Sequence, residues 1–132
     1  MGCSVQFSVY EGANSGFSDL KTPIISEGAS AIVKEAMRED TSLPLYIVCG
    51  AGFTDIASAY LLEPKIAGHL TLIRIGGPEY CDLAPPPPGA SSVEYNFGID
   101  LKAGQIIFNN SDIPIWQVPR NAYRQALLSF SE

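Results

Sequence analysis

The sequence predicts an α/β fold in which a parallel, Rossmann-like sheet is layered with helices. Three observations lead there. Residues 44–77 read PLYIVCGAGFTDIASAYLLEPKIAGHLTLIRIGG, two short apolar runs on either side of one helical pattern. Each run stops at glycine, first at Gly50-Ala51-Gly52 and then at Gly76-Gly77. Strand-type and helix-type patterns alternate along the rest of the chain, and strands joined through helices lie parallel. Strands this apolar are expected to be covered on both faces. The ends of the two runs, at Cys49 and Ile75, then share the sheet edge where α/β proteins place ligands.

The chain has 132 residues, the size of one domain, and no linker divides residues 1–132. In order, residues 5–10 (VQFSVY) form a first expected strand, closed by Glu11-Gly12-Ala13-Asn14. Ser26 is placed to cap a helix whose apolar face is Ala29, Ile32, Val33, Ala36 and Met37, at helical spacing. Glu27, Lys34, Glu35, Arg38 and Glu39 take its solvated side. Residues 45–49 form the next strand. Thr54 and Asp55 are placed to cap a helix facing inward through Ile56, Ala59 and Tyr60. Residues 70–75 form a further strand.

Residues 78–92 follow no regular pattern. They hold four consecutive prolines, 85–88, which suit a stiff surface loop and exclude a helix or an inner strand. Residues 93–97 are expected to be short and extended. Asp100 caps a helix over residues 101–109, with Ala103, Ile106 and Ile107 inward. Residues 113–118 (IPIWQV) form a strand, Pro114 standing before its ladder begins, with Trp116 as a core residue. Residues 121–130 form a terminal helix with Tyr123, Ala126, Leu127 and Phe130 on one face.

Net charge is −6 and the basic residues are scattered, which argues against nucleic-acid binding. No apolar run approaches membrane-spanning length, and no basic, then apolar leader opens the chain. Cys3, Cys49 and Cys81 are odd in number and lack metal-ligand spacing. A free cysteine in an apolar strand suits a reducing compartment, so a cytoplasmic setting is expected.

Chemistry-bearing candidates are few. Gly50-Ala51-Gly52 lacks the third glycine of a dinucleotide fingerprint and the Gly-Lys-Ser/Thr of a phosphate loop, so a tight strand-to-helix turn outweighs phosphate binding. Glu94 and Asn96 stand two apart. On an extended segment they project together, and a carboxylate beside an amide suits a sugar diol. The competing role for the pair is a solvated edge. His69, the single histidine, follows Gly68 at a helix end, a position that favours a cation. The aspartates are dispersed, and no short motif gathers enough of them for a hard metal.

Taken together, Gly50 to Thr54 (GAGFT), Leu61 to Ala67 (LLEPKIA), Gly76-Gly77, Glu94-Tyr95-Asn96, Asp100, Ala103 to Phe108 and Val118-Pro119 occur in an order and spacing that resembles the inosine–uridine-preferring nucleoside hydrolase family. That family carries a G-P-L-T-N turn, a helix ending in L-x-P-x-I-A, an M-G-G strand end and an E-F-N-x-x-x-D-P-E-A-A segment. The resemblance implies hydrolysis of the N-glycosidic bond of ribonucleosides by a calcium ion and an activated water. It implies the Thr54 backbone carbonyl as a calcium ligand, and Glu94 and Asn96 as binders of ribose hydroxyls.

The chain departs from the pattern where the chemistry is heaviest. The family's D-x-D-x-x-x-D-D cluster, which supplies most metal ligands and the general base, has no counterpart here, and its late histidine and aspartate would fall beyond Glu132, so the chain resembles the middle of a nucleoside hydrolase domain or a shortened relative. Asp55 stands where the family has asparagine, and Ile75 where it has methionine. Calcium takes about 6–8 oxygen ligands, and one carbonyl does not hold it. The expectation is therefore a nucleoside hydrolase-like chain with no catalytic residues of its own and no calcium bound alone. The alternative is a non-catalytic ligand-binding or assembly module on the same scaffold. A nucleotide-binding domain is the weaker third. A truncated sheet exposes an apolar edge or face, so a homo-oligomer is expected.

Overall fold

The computed structural model describes residues 7–80 and 82–126. Among them are three strands, β1 (Leu45–Cys49), β2 (Leu70–Ile75) and β3 (Ile115–Val118), paired in parallel in the order β1-β2-β3. The register sets Cys49 beside Arg74 and Ile75 beside Val118, so the three carboxyl ends share one edge. The α/β fold class and the parallel sheet are as the sequence predicts.

Helix α1 (Glu27–Ala36) precedes β1, α2 (Thr54–Leu62) and a 3-10 turn (Pro64–Gly68) connect β1 to β2, and α3 (Tyr95–Gly98) and α4 (Leu101–Asn110) connect β2 to β3. A short α5 (Arg120–Tyr123) follows β3. Ser26 caps α1 as expected, its hydroxyl oxygen accepting from the Ala29 N–H at 2.9 Å. Asp100 caps α4 by accepting from the Ala103 N–H at 3.1 Å. Pro114 stands ahead of the β3 ladder, its carbonyl accepting from the Leu72 N–H at 2.9 Å.

The core lies between one face of the sheet and one layer of helices. Ala29 and Ala36 of α1, Ile56, Ala57 and Ala59 of α2, and Ala103, Ile106 and Ile107 of α4 close over Leu70 and Leu72. Leu45, Ile47, Cys49 and Ile115 pack beneath them. The small residues of α2 let α1 and α4 pack closely against it, and deep burial of a helix that is apolar on most sides follows.

Several expectations are corrected. Residues 7–10 form no strand. Phe7 and Val9 share one parity and Tyr10 has the other, yet all three are exposed, so neither side of an extended ribbon finds a surface to bury. Val5 and Gln6 lie outside the described residues. The segment that follows is held instead by carboxylates, with the Ala13 N–H donating to Asp55 Oδ1 and the Phe17 N–H to Asp100 Oδ2. Among the described residues, cover is found on one sheet face and not on both: their long helices lie on the core side, and Tyr46, Val48 and Trp116 project into solvent from the other. Trp116 is thus no core residue and leans on Tyr46 with ring centroids 5.5 Å apart.

Thr54 and Asp55 do not cap α2. Phe53 takes the N-cap position without a side-chain bond. Thr54 donates to Asp100 Oδ2, and Asp55 is engaged by Ala13 and by the Ser26 hydroxyl at 2.6 Å. Distant partners have outcompeted the local cap. Of residues 93–97, expected to be extended, Tyr95 to Phe97 are helical: Glu94, itself extended, is the N-cap of the one-turn helix α3. Of the expected terminal helix, residues 120–123 are helical, while Leu127 and Phe130 lie outside the described residues. No helix among the described residues is long and apolar enough to cross a membrane.

Candidate functional site

The carboxyl edge of the sheet gathers the predicted residues around the end of β2. The chain turns there on Gly76 (φ +143°) and Gly77 (φ +94°). Only glycine enters this region without strain, and a Cβ on Gly76 would collide with the Arg74 guanidinium and stand 2.9 Å from Glu94 Oε2. The turn thus frees the Gly77 N–H, which donates to Glu94 Oε2 at 2.8 Å. Glu94 Oε2 also accepts from the Phe97 N–H at 3.1 Å, and Oε1 accepts from the Tyr123 hydroxyl at 2.9 Å. Asn96 Nδ2 donates to the Ile75 carbonyl at 3.1 Å. Glu94 and Asn96 therefore do meet at one strand end, although through a helical cap rather than the extended geometry expected of them.

Glu94 is 1% exposed. Burial raises its carboxyl, but hydrogen bonds from the Gly77, Asn96 and Phe97 N–H groups and the Tyr123 hydroxyl outweigh that and hold its pKa below the ordinary 4.5. The group is a carboxylate at neutral pH, rigidly aimed. Beside it opens a cavity of about 730 Å³, with Val93, Tyr95, Ile99 and Leu101 as apolar walls and Glu94 and Arg120 as its charged groups. Its size lies within the range of small-molecule sites. Arg120 is braced by a two-point ion pair with Glu79, both contacts 2.7 Å.

Thr54 lies at the same edge, tied through its hydroxyl to Asp100 Oδ2 at 2.8 Å. The donors around it do not fit the calcium that the family resemblance implies. As the first residue of α2, Thr54 has its carbonyl in the helical ladder, pointing along the helix and away from the strand ends. Asp100 already accepts from Phe17, Thr54 and Ala103. Among the described residues no three His, Cys, Asp or Glu side chains gather to hold a metal ion.

The Gly50-Ala51-Gly52 turn has a packing reason. A Cβ on Gly52 would stand 2.8 Å from Ile99 Cγ2, so glycine lets residues 94–100 close against the strand end. His69 ends the 3-10 turn in the open, its N–H donating to the Ile66 carbonyl. Burial pushes the Cys49 thiol up to about 11, so it is no thiolate nucleophile near pH 7.

Sequence reasoning missed Arg74 and Tyr123. Arg74 is fully buried, with its guanidinium carbon 3.8 Å from the Phe53 ring centroid and 5.5 Å from that of Phe97. Nη1 donates to the Ile75 carbonyl at 2.9 Å, while Nε and Nη2 have no partner among the described residues. Burial pushes its pKa down, and the negative charge of Glu94 opposes that. The signal was present in the sequence: Arg74 is the one charge in LTLIRI and has the inward parity of Leu70 and Leu72. Tyr123 reaches Glu94 only because α5 folds back on the β2 turn, where the Arg120 N–H donates to the Gly77 carbonyl at 3.0 Å. In comparisons with family models, curated proteins and solved structures, nothing matched this chain.

Glu94→Gln tests the electrostatics of the site. Because the folded pKa of Glu94 lies below its ordinary 4.5, its ionisation stabilises the fold above that pH. The contribution is lost as pH falls through the folded value. The substitution should cost about 1–3 kcal/mol at pH 7, the worth of hydrogen bonds to a charged acceptor. It should also flatten part of the acid limb of stability below 4.5. Asp19, Asp40 and Glu79, all held low by their own donors, retain the rest. Urea titrations at several pH values measure both, and an unchanged acid limb would refute the assignment.

Proposed function

We propose that this chain is a non-catalytic ligand-binding module on a nucleoside hydrolase-like scaffold, and that it takes a ribonucleoside or ribose in the cavity beside Glu94. The observation that carries the reading is a fixed, charged carboxylate in the wall of an apolar cavity at the carboxyl edge of a parallel sheet. A carboxylate accepts from sugar hydroxyls, and the apolar walls suit a planar base. Asn96 stands at the same strand end, where its amide donates to the Ile75 carbonyl. The motif resemblance adds the substrate class.

Hydrolysis is not part of the proposal. It needs an activated water, and the donors beside Thr54 supply neither a calcium cage nor a free general base. The proposed setting is the cytoplasm, where a free Cys49 stays reduced.

Isothermal calorimetry with inosine and with ribose, each with and without calcium, tests the reading. Heat of binding with inosine is expected, unaffected by calcium and weakened roughly tenfold by Glu94→Gln, as the loss of one hydrogen bond to a charged acceptor implies. A parallel assay should find no hypoxanthine released. Absence of heat with both ligands would sink the binding assignment, and calcium-dependent base release would restore the enzyme.

A further inference from the structure

The face of the sheet opposite the helices has no cover among the described residues. Strand alternation places Tyr46 and Val48 of β1, Thr71, Ile73 and Ile75 of β2, and Trp116 and Val118 of β3 on it. The register aligns Val48 with Ile73 and Ile73 with Trp116 in one row across the three strands. Tyr46, Val48 and Trp116 are 45%, 63% and 58% exposed. None of the seven residues is charged, although the chain carries a net charge of −6.

Parallel sheets built through helices occur almost only with both faces covered. We propose that this face is covered by a second copy of the same chain, packed sheet to sheet. The absence of charge favours self-association. Two copies bring no like charges together at the centre of the contact, whereas an acidic or basic partner would find nothing to pair with. A two-fold axis makes one patch its own complement. Two sheets pack face to face about 10 Å apart with strands about 30° from alignment, which a three-stranded sheet bare of helices on one side allows.

A stable interface buries about 800 Å² per partner, with an apolar centre and a polar rim, and this uncharged face supplies such a centre. Trp116 and Tyr46, leaning together over the central strand, are the aromatic anchors such a contact uses. The inference is independent of the cavity beside Glu94, which lies at the carboxyl edge rather than on this face.

Trp116 is the single tryptophan, so its fluorescence reports the face directly. Sedimentation and light scattering between about 1 µM and about 100 µM should find a dimer, and Trp116 emission should move to longer wavelength as dilution dissociates it. Val48→Lys puts an unpaired charge in the contact and should weaken association roughly a hundredfold or more. Val48→Thr keeps the β-branched shape that suits a strand and should weaken it by roughly a tenfold step. Circular dichroism should show both variants folded, because position 48 faces solvent in the monomer. A chain that stays monomeric over this range overturns the proposal. So does a dimer whose Trp116 emission ignores dissociation, or one that both folded variants leave intact.

Discussion

Replacing Phe53 by alanine is expected to lower the unfolding free energy by about 3–5 kcal/mol, a large part of the roughly 5–15 kcal/mol typical of a domain. Phe53 is fully buried at the turn from β1 into α2. Its ring meets Phe97 edge-on at 6.3 Å and Phe108 at 5.8 Å, and it forms the surface on which the Arg74 guanidinium rests. Truncation therefore leaves a cavity beside the Phe97 and Phe108 rings, which belong to two separate helices. It also strips a buried cation of its aromatic face, which moves the expected cost to the upper end of that range. Phe53→Leu, which keeps most of the volume, should cost about 1–1.5 kcal/mol. Urea unfolding of both variants measures this. A loss below about 1 kcal/mol for the alanine variant would mean that the cluster collapses around the gap and is not what joins α2 to α3 and α4.

Replacing Arg74 by methionine is expected to stabilise the fold by about 1–4 kcal/mol, the gain seen when buried charges give way to apolar residues of similar volume. Two opposing effects decide the sign. Removing the guanidinium ends the desolvation of a charge whose Nε and Nη2 lack partners. It also withdraws a cation from the neighbourhood of Glu94. The first effect wins, because the Glu94 carboxylate is held by the Gly77 and Phe97 N–H groups and the Tyr123 hydroxyl, and no direct ion pair joins it to Arg74. Arg74→Ala, in contrast, should destabilise by about 2–4 kcal/mol, since it removes the aliphatic stem packed on Phe53 and leaves a void. If the methionine variant instead loses about 3–5 kcal/mol, Arg74 is compensating a buried carboxylate and the balance is reversed.

Much of the candidate site was legible in the sequence, though for reasons that only partly hold. Glu94 and Asn96 were singled out as same-side neighbours on an extended strand. They meet instead because Glu94 caps a one-turn helix, and both side chains reach back to the end of β2. A carboxylate and an amide flanking one residue suit a cap as well as a sugar, so the same residue types draw attention for either role. The Thr54 hydroxyl turns to Asp100, 46 residues away in the chain, a partner that no local pattern indicates. Arg74 was hidden inside a run that reads as apolar until its parity is counted.

What the sequence determined by itself is the set of local decisions. Helical spacing in residues 29–37 made α1, Ser26 and Asp100 set where α1 and α4 begin, and the apolar runs closed by glycine made β1 and β2. Those outcomes depend on residues within a few positions of one another, so pattern alone specifies them. Only the tertiary structure decided which competing partner each polar group would take and which sheet face would be covered. Asp55 gave up its local role to hold Ala13, Asp100 kept its cap on α4 and added Phe17 with its other oxygen, and the long helices among the described residues settled on one side of the sheet. Such choices compare contacts distant in sequence, and burial strengthens whichever hydrogen bond is made there. The Gly76-Gly77 turn belongs to both: its glycines are plain in the sequence, but the need for them appears only when Arg74 and Glu94 close around it.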